Sequence, residues 1–249
     1  MSRRVRLALL TPALLGLGGL FAWAIAGLPE FGDYRGPYGY VLNQIVVPLR
    51  HSTNVVMGTT FDVRGLDTMG EEFILYAAVV GVTLLLRDES GAGRVERRTR
   101  RARSDTVRLL GVLMIGVGLL VGLWLVAFGY ITPGGGFPGG VVLAGAIVVL
   151  YLVGSHRDYG PFRNEHALDP FEGLGAGGYV ITGLAALALG LQFLTNLFGY
   201  GKAGTLLSAG SIGILNAASG IAVTVAMLLL FAEFLETYVV PLEPEDVGS

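Results

Sequence analysis

The feature that most constrains this chain is a long stretch without a formally charged residue, between Arg108 and Arg157. Such a run can lie in lipid, where an α-helix satisfies its own backbone hydrogen bonds. It is interrupted by the glycine- and proline-rich residues 130–140, YITPGGGFPGG. Proline lacks an N–H group and glycine has low helix propensity, so neither flanking helix is expected to continue there. The sequence therefore predicts two membrane helices joined by a glycine-rich turn.

The composition of the whole chain is that of a membrane protein. Of its 249 residues, 53% are hydrophobic and 14% are charged, and the mean hydropathy is +0.64, whereas soluble domains have about 25% charged residues. The absence of cysteine excludes disulfides, iron–sulfur clusters and cysteine nucleophiles. The three histidines have no zinc or haem spacing. We therefore expect no cofactor, no metal site and no nucleic-acid partner.

The hydrophobic runs predict an all-α integral membrane protein of about six transmembrane helices, with an additional interfacial or buried amphipathic helix. The spans are predicted to begin near Leu7, Phe73, Val107, Gly139, Gly173 and Leu206. The additional helix falls within residues 41–60, which contain Arg50. Because a charge in mid-bilayer is costly, we expect Arg50 at the interface or enclosed by neighbouring helices. The first apolar run is longer than the core of a signal peptide, which predicts a retained helix.

Basic residues predict the orientation of these helices. Arginines precede the first span, and six more lie within residues 89–104: Arg94, Arg97, Arg98, Arg100, Arg101 and Arg103. Basic segments beside membrane helices mark the cytoplasmic side. We therefore expect a multi-pass protein of the cytoplasmic membrane with both termini in the cytoplasm, and with the glycine-rich turn on the outer side. Binding of anionic lipid or of a soluble partner is an alternative role for the arginine cluster.

A charged segment, residues 61–72, lies directly before the second predicted span. Thr68 and Glu71 have the spacing of a capping box, which would give the segment a structural role at the start of the helix. Alternatively, partly desolvated carboxylates can bind cations and exchange protons near neutral pH. On that interpretation the segment supplies four ion-pathway candidates, with the arginine as charge partner of the acids: Asp62, Arg64, Asp67 and Glu71.

The glycine-rich turn also allows two interpretations. It is a tight hairpin where two helices pack closely, or it lines a hydrated ion path, since glycine permits close approach and a run of N–H groups can bind water or an anion. Any part of it below the headgroups must be buried in protein or face water. The residues expected to shape the loop are Pro133, Gly134, Gly135, Gly136, Phe137, Gly139 and Gly140.

These residues form a PGGGFxGG string, which resembles the signature of the MnhB domain, the second subunit of multisubunit Mrp-type cation/proton antiporters. Relatives of this domain also occur in membrane-bound hydrogenase arms. The resemblance covers residues 105–236. Family members usually carry histidine in a Gly-His-x-x-Pro arrangement, and Tyr130 stands there in this chain. Tyr130 is thus a further ion-pathway candidate by position, although its reference pKa of about 10 makes it a poor proton carrier at neutral pH.

A second resemblance lies upstream of the arginine cluster. The segment from Asn54 to Glu71 is similar to the NVV…DFRGFDTLGE stretch at the C-terminal end of the large subunit of Mrp antiporters and to its hydrogenase counterpart. It departs conservatively at Val63, Leu66 and Met69. The two resemblances imply three parts: a membrane segment like the end of the large subunit, an arginine-rich cytoplasmic linker and an MnhB-like four-helix domain, at residues 1–88, 89–104 and 105–249. Because both motifs are predicted on the outer side, we expect them to be in contact.

The resemblance implies an integral subunit of an Mrp-type antiporter that couples proton movement to sodium or another monovalent cation. The implied partners are other hydrophobic subunits, the lipid bilayer, and the transported Na⁺ and H⁺. No lysine or acidic residue falls well inside the predicted spans, so we expect a supporting or pathway-lining role and no catalytic centre. Two alternatives remain: an ion-coupling membrane-arm subunit of a hydrogenase-like or related respiratory redox complex, and a stand-alone transporter, for which internal repeats are expected.

The last predicted span contains two polar residues, Asn216 and Ser219, in an otherwise apolar run. Their spacing of one helical turn places them on a shared face. Small polar groups in membrane helices usually bond to another helix. We therefore expect both residues to make contacts between helices.

Overall fold

The computed structural model describes residues 3–28, 36–86, 104–153 and 165–237. Over these ranges the chain has eight α-helices, one π-helical turn and no strand. The α-helices are α1 Arg3–Ala26, α2 Pro37–Arg50, α3 Val55–Gly58, α4 Gly65–Leu86, α5 Asp105–Ala127, α6 Gly136–Val153, α7 Glu165–Ala188 and α8 Ile212–Thr237. The π-helical turn is Thr59–Val63. The all-α prediction is confirmed for this part of the chain, whereas all of the predicted linker except Ser104 lies outside it.

The helices have the lengths and composition of a multi-pass membrane protein. Three helices of the described ranges are long and apolar enough to cross a membrane: Gly65–Leu86, Asp105–Ala127 and Ile212–Phe234. Three shorter apolar stretches are Leu10–Ala26, Gly136–Leu150 and Gly173–Ala188. Each of these six corresponds to one predicted span. The additional helix predicted within residues 41–60 is divided, because α2 ends at Arg50 and α3 and the π-helical turn follow after a break.

α4 begins earlier than the sequence pattern predicted, at Gly65 rather than near Phe73. It follows directly from the π-helical turn, where the N–H of Arg64 donates to the carbonyl oxygen of Thr59 at 2.8 Å. Thr68 therefore lies inside the helix, and its hydroxyl donates to the carbonyl oxygen of Thr60 at 2.7 Å. The capping-box interpretation was wrong, because no helix begins at Thr68.

The connection between α7 and α8 is longer than predicted and includes residues 189–211. The last span was predicted to begin near Leu206, but turns occupy that position and α8 begins at Ile212. α7 ends before Gly190, which has a φ of 75°, a left-handed conformation that commonly terminates helices at glycine. The connection is ordered by Asn196, whose Oδ1 accepts from the N–H of Ser211 at 2.9 Å.

The helix after the glycine-rich stretch was predicted to begin near Gly139, but it begins three residues earlier, so that the second half of the stretch is helical. α6 begins at Gly136, so Phe137, Pro138, Gly139 and Gly140 lie in its first turns. Proline is tolerated there because the first N–H groups of a helix have no intrahelical acceptor. The non-helical loop is thereby reduced to residues 128–135.

The structure divides into two compact units, residues 1–41 and 42–249. In the first unit, the described side chains of α1 are exposed along the helix. In the second unit, α8 is central and contacts α4, α5, α6 and α7. Half of its span is buried, compared with 11% of the spans of α4 and α5. The outer helices thus expose apolar surface, while α8 is the core of the bundle.

Candidate functional site

The candidate site lies where the glycine-rich loop meets the segment after α2, and Asn54 joins the two. Its Nδ2 donates to the carbonyl oxygens of Gly129 at 2.7 Å and Thr132 at 3.1 Å. Its Oδ1 accepts from the N–H groups of Val56 and Met57 and so caps α3. One amide therefore orients α3 and the loop relative to each other. The expected contact between the two sequence motifs is confirmed.

Further hydrogen bonds run from the residues beside Asn54 to the same loop. The hydroxyl of Ser52 donates to the carbonyl oxygen of Tyr130 at 2.9 Å, and the N–H of Asn54 donates to the same oxygen at 3.3 Å. The hydroxyl of Thr53 donates to the carbonyl oxygen of Ile131. Carbonyl groups freed by the break between α5 and α6 thus find partners within the protein, as a loop among membrane helices requires.

Two glycines, at the end of the loop and the start of α6, allow close approach to neighbouring segments. Gly135 has a φ of 149°, and a Cβ atom there would lie 2.8 Å from Cε of Met57. A Cβ atom on Gly136 would lie 2.2 Å from the backbone oxygen of Asn216. Gly136 therefore excludes a larger side chain unless the backbone moves. At Gly135 the side chain of Met57 could shift, but the positive φ disfavours any residue other than glycine. These contacts agree with the interpretation of the stretch as a close-packed hairpin.

Asn216 of α8 bridges the break between α5 and α6. It is fully buried. Its Oδ1 accepts from the N–H of Gly136 at 2.6 Å, and its Nδ2 donates to the carbonyl oxygen of Val126 at 2.6 Å. These are groups at the start of one helix and the end of another, where intrahelical partners run out. The expectation that Asn216 bonds to other helices is confirmed.

Tyr130 holds the loop against the connection between α7 and α8. Its side chain is buried, and its hydroxyl donates to the carbonyl oxygen of Leu206 at 2.6 Å. Burial raises the pKa of Tyr130 above the ordinary value for a phenol. A phenol that stays protonated and donates to a fixed carbonyl is suited to holding two loops together. It is not suited to carrying protons at neutral pH.

Asp62 lies in the π-helical turn and forms an ion pair with Arg50 at the end of α2. The guanidinium carbon of Arg50 is also 5.4 Å from the ring centroid of Tyr200, which permits a cation–π contact. The hydrogen bond to Asp62 raises the pKa of Arg50. Arg50 is therefore enclosed by neighbouring segments, one of the two placements expected from the sequence.

The charge partner of Asp62 differs from the one predicted. Arg64 pairs with Asp67 at the start of α4, and both side chains are more than half exposed. The pairing follows from their spacing of three residues, which brings side chains together on a helical turn. Glu71 is also exposed. The structure thus places Asp67 and Glu71 on accessible surface and Asp62 in a half-buried ion pair.

Glu72, which was not among the residues predicted from the sequence, is 6% exposed and packs against α8. Its Oε1 accepts a hydrogen bond from the hydroxyl of Ser219. Ser219 therefore contacts another helix, as expected from the sequence. Because α4 starts at Gly65 and not near Phe73, Glu72 lies inside the helix, about two turns from its first residue, where the sequence pattern placed no acidic residue. Gly65, Thr68 and Glu72 are three and four residues apart and all are buried. Helical periodicity extended upstream of Phe73 would therefore have identified Glu72.

The chemistry available at this site is that of carboxylates and amides. Within the described ranges, no group of three or more histidine, cysteine, aspartate or glutamate residues is placed to hold a metal ion. Carboxylate oxygens can attract monovalent cations or bind protons. The surrounding amides and hydroxyls position the helices and can hydrogen-bond to the carboxyl groups.

Residues 106–231 match the family model described as the domain related to the MnhB subunit of Na⁺/H⁺ antiporter. The chain belongs to this family. The matched range contains the glycine-rich loop, Asn216 and Ser219. The resemblance drawn from the PGGGFxGG string is therefore confirmed. The resemblance of the upstream segment to the large antiporter subunit stays a prediction.

Relatives and solved structures extend the similarity to most of this MnhB-family chain. An uncharacterized protein of Methanocaldococcus jannaschii is 30% identical over 198 residues, which are 68% of this chain and 72% of that protein. A chain from the membrane-bound sulfane sulfur reductase (MBS), an archaeal respiratory membrane complex, is 30% identical with a TM-score of 0.68. That similarity covers 93% of this chain and 98% of the other.

A third similarity is to a much longer chain. A chain of the Mrp complex from Dietzia sp. DQ12-45-1b has a TM-score of 0.64 at 24% identity, which shows a shared fold. The match covers 94% of this chain but only 26% of the Dietzia chain. The MnhB-family chain is therefore similar to about a quarter of that longer protein.

Proposed function

We propose that this chain is a non-catalytic integral membrane subunit of an Mrp-type antiporter complex that exchanges a monovalent cation, Na⁺, for protons. The observation that carries the proposal is the MnhB family match across the glycine-rich loop and α8. The hydrogen bonds of Asn54 to this loop support it, because they join the two motifs that resemble neighbouring antiporter subunits. The fold shared with a chain of the Mrp complex is a further support.

In this proposal, the junction of loop, α3 and α8 supports an ion pathway that begins at the carboxylates near the start of α4. Exposed carboxylates can attract cations from water, and the Arg50–Asp62 pair fixes the adjoining π-helical turn. Tyr130 holds the loop through its bond to Leu206. The residues proposed to line the entrance to the pathway are Asp62, Arg64, Asp67 and Glu71.

The other subunits of the complex are proposed to cover the apolar surfaces of the outer helices, together with lipid. The exposed large side chains of α4 and α5 support this, because extended apolar surface marks contact with membrane or protein. We place the protein in the cytoplasmic membrane with both termini in the cytoplasm, as the arginine distribution favours. Residues 1–88 are proposed to serve as the counterpart of the end of the large antiporter subunit. The match of nearly the whole chain to part of one longer Mrp chain supports the joining of this counterpart and the MnhB-like domain in one polypeptide.

The proposal is tested by purifying the tagged chain from its native membrane in a gentle detergent and identifying the accompanying proteins by mass spectrometry. We expect several hydrophobic antiporter subunits and no redox subunits. Membranes that lack the chain should also lose Na⁺/H⁺ exchange. Recovery of the chain alone, with exchange intact in its absence, would contradict the proposal.

A second function is favoured by one specific observation. The MBS chain is 30% identical to this chain and is matched over 98% of its length, so an ion-coupling membrane arm of a respiratory redox complex is the alternative. Any redox chemistry would then belong to other subunits. Iron–sulfur or nickel-site subunits in the same purification would establish this function in place of the first.

A further inference from the structure

Glu72 is an acidic residue within a helix long and apolar enough to span a membrane. It lies about 10 Å along the helix axis from Gly65, at 1.5 Å per residue. Its side chain is turned towards α8 rather than towards the exterior. An ionisable side chain in such a position is costly and calls for a functional explanation.

The two carboxyl oxygens of Glu72 have different surroundings. Oε1 accepts the hydrogen bond from Ser219, whereas Oε2 is buried without a hydrogen-bond partner among the described residues. The side chain of Glu72 borders a small cavity of about 10 Å³, close to the space that one water molecule needs. The other residues that line the cavity are Leu75, Tyr76, Ala176, Ala222 and Ala226.

The charges around Glu72 do not offset a negative carboxylate. Glu71 precedes it on α4, and Tyr76 lines the cavity. From α7, Tyr179 interacts electrostatically with Glu72 and donates its hydroxyl to the carbonyl oxygen of Gly65 at 3.0 Å. From the π-helical turn, Asp62 is already paired with Arg50. No ion pair to Glu72 is formed within the described part of the chain, and burial without one favours the neutral carboxylic acid.

We propose that Glu72 is a proton-binding site within the membrane, with the proton carried on Oε2 beside the cavity. Ser219 holds Oε1 as the carbonyl oxygen of the neutral acid, so the proton occupies the oxygen that lacks a partner. The cavity accommodates one water, through which the proton is exchanged. The site takes a proton rather than Na⁺, because hard cations require several oxygen ligands and most of this cavity's wall is aliphatic.

This inference deepens the proposed function by adding a proton site inside the chain. Only the role of this site in ion exchange rests on the proposed function. Protonation itself is measured without transport. Co-purification of the chain with redox subunits would overturn the antiporter assignment. The protonation of Glu72 would still be tested separately, by the spectroscopic experiment below.

The experiment is infrared spectroscopy of the purified complex at neutral pH, which detects the carbonyl stretch of a neutral carboxylic acid. The wild type should show a band that is lost in Glu72→Gln and retained in the matched control Glu71→Gln. Ser219→Ala should shift the band to higher frequency, since it removes the hydrogen bond to the carbonyl oxygen. A merely structural role for Glu72 would not produce this signature.

Two outcomes would overturn the inference. One is a wild-type spectrum in which no acid band is sensitive to Glu72→Gln, because the carboxyl group would then be ionised. The other is failure of Glu72→Gln to assemble, because glutamine keeps the size and neutrality of the protonated acid and can still accept from Ser219.

Discussion

Two polar residues one turn apart on α8 make contacts of opposite kinds. Asn216 joins the ends of α5 and α6, with its amide oxygen and its amide nitrogen both bonded to backbone groups. Ser219 reaches across to Glu72, which keeps one oxygen without a partner beside a cavity. A buried polar group with its bonds complete fixes the position of helices, whereas one with spare capacity can take up a ligand. The same face of α8 thus combines a structural junction with a proposed proton site.

The largest effect is expected when the structural junction is broken by Asn216→Leu. The substitution leaves the N–H of Gly136 and the carbonyl oxygen of Val126 without this partner, and each buried unsatisfied group costs about 1–3 kcal/mol. We expect much less assembled complex and a lower unfolding temperature, measured by fluorescence-detected size exclusion after heating. The exposed substitution Lys202→Ala is the control. An Asn216→Leu protein as stable as this control would mean that the junction is not structural.

A smaller but still severe effect is expected for Gly136→Ala. The added Cβ atom would meet the backbone of Asn216 at 2.2 Å, and overpacking of this kind costs about 1–3 kcal/mol. Gly145 in the same helix has no neighbouring atom within 4 Å of the position that a Cβ atom would take, so Gly145→Ala is the matched control. Thermal unfolding of the two variants should separate them clearly, and equal stability would argue against close packing at the loop.

Ser219→Ala should destabilise the chain less than Asn216→Leu. It removes one hydrogen bond, and such bonds between membrane helices contribute about 1 kcal/mol or less. The carboxyl group of Glu72 loses the hydrogen bond from Ser219. Because this carboxyl group is neutral in our proposal, the substitution leaves no buried charge without a partner. The same unfolding measurement tests the order of the two variants. A loss as large as that of Asn216→Leu would indicate that Glu72 is ionised and depends on Ser219.

The smallest effect is expected for Tyr130→Phe. It removes the bond to the carbonyl oxygen of Leu206 while the ring remains buried. Because Leu206 is exposed, this carbonyl oxygen is not left in a buried position, and the loss should cost about 0.5 kcal/mol, the low end for a hydrogen bond. Because this bond holds the connection between α7 and α8, limited proteolysis near Leu206 should become faster. Unchanged proteolysis would show that the connection is held by other contacts, such as those of Asn196.

Much of the fold could be predicted from hydrophobic runs, because a membrane helix must be long, apolar and almost free of charge. The family resemblance rested on the PGGGFxGG string, and the contact between the two motifs followed from placing both on the outer side. Helix ends were less predictable. α4 extends to Gly65 through polar residues, because the π-helical turn and contacts with α8 stabilise a segment that hydropathy alone assigns to a loop.

The candidate site was predicted only in part for the same reason. Asp62 was selected by its charge, but its partner Arg50 is twelve residues away in sequence and is brought close by the break after α2. Glu72 was passed over because the predicted helix began after it, although its spacing from Gly65 and Thr68 marks a buried face. The loop residues were selected for their glycine and proline content, and only tertiary contacts show that Gly136 approaches Asn216.

Proton movement driven by a Na⁺ gradient in everted membrane vesicles tests the role of Glu72 most directly. Wild-type and Lys202→Ala vesicles, adjusted to equal amounts of assembled complex, should both exchange Na⁺ for protons. Glu72→Gln should assemble equally well but lose exchange, because glutamine cannot bind and release a proton. Exchange by Glu72→Gln at the wild-type rate across the pH range would contradict a role for Glu72 in the exchange of protons for Na⁺.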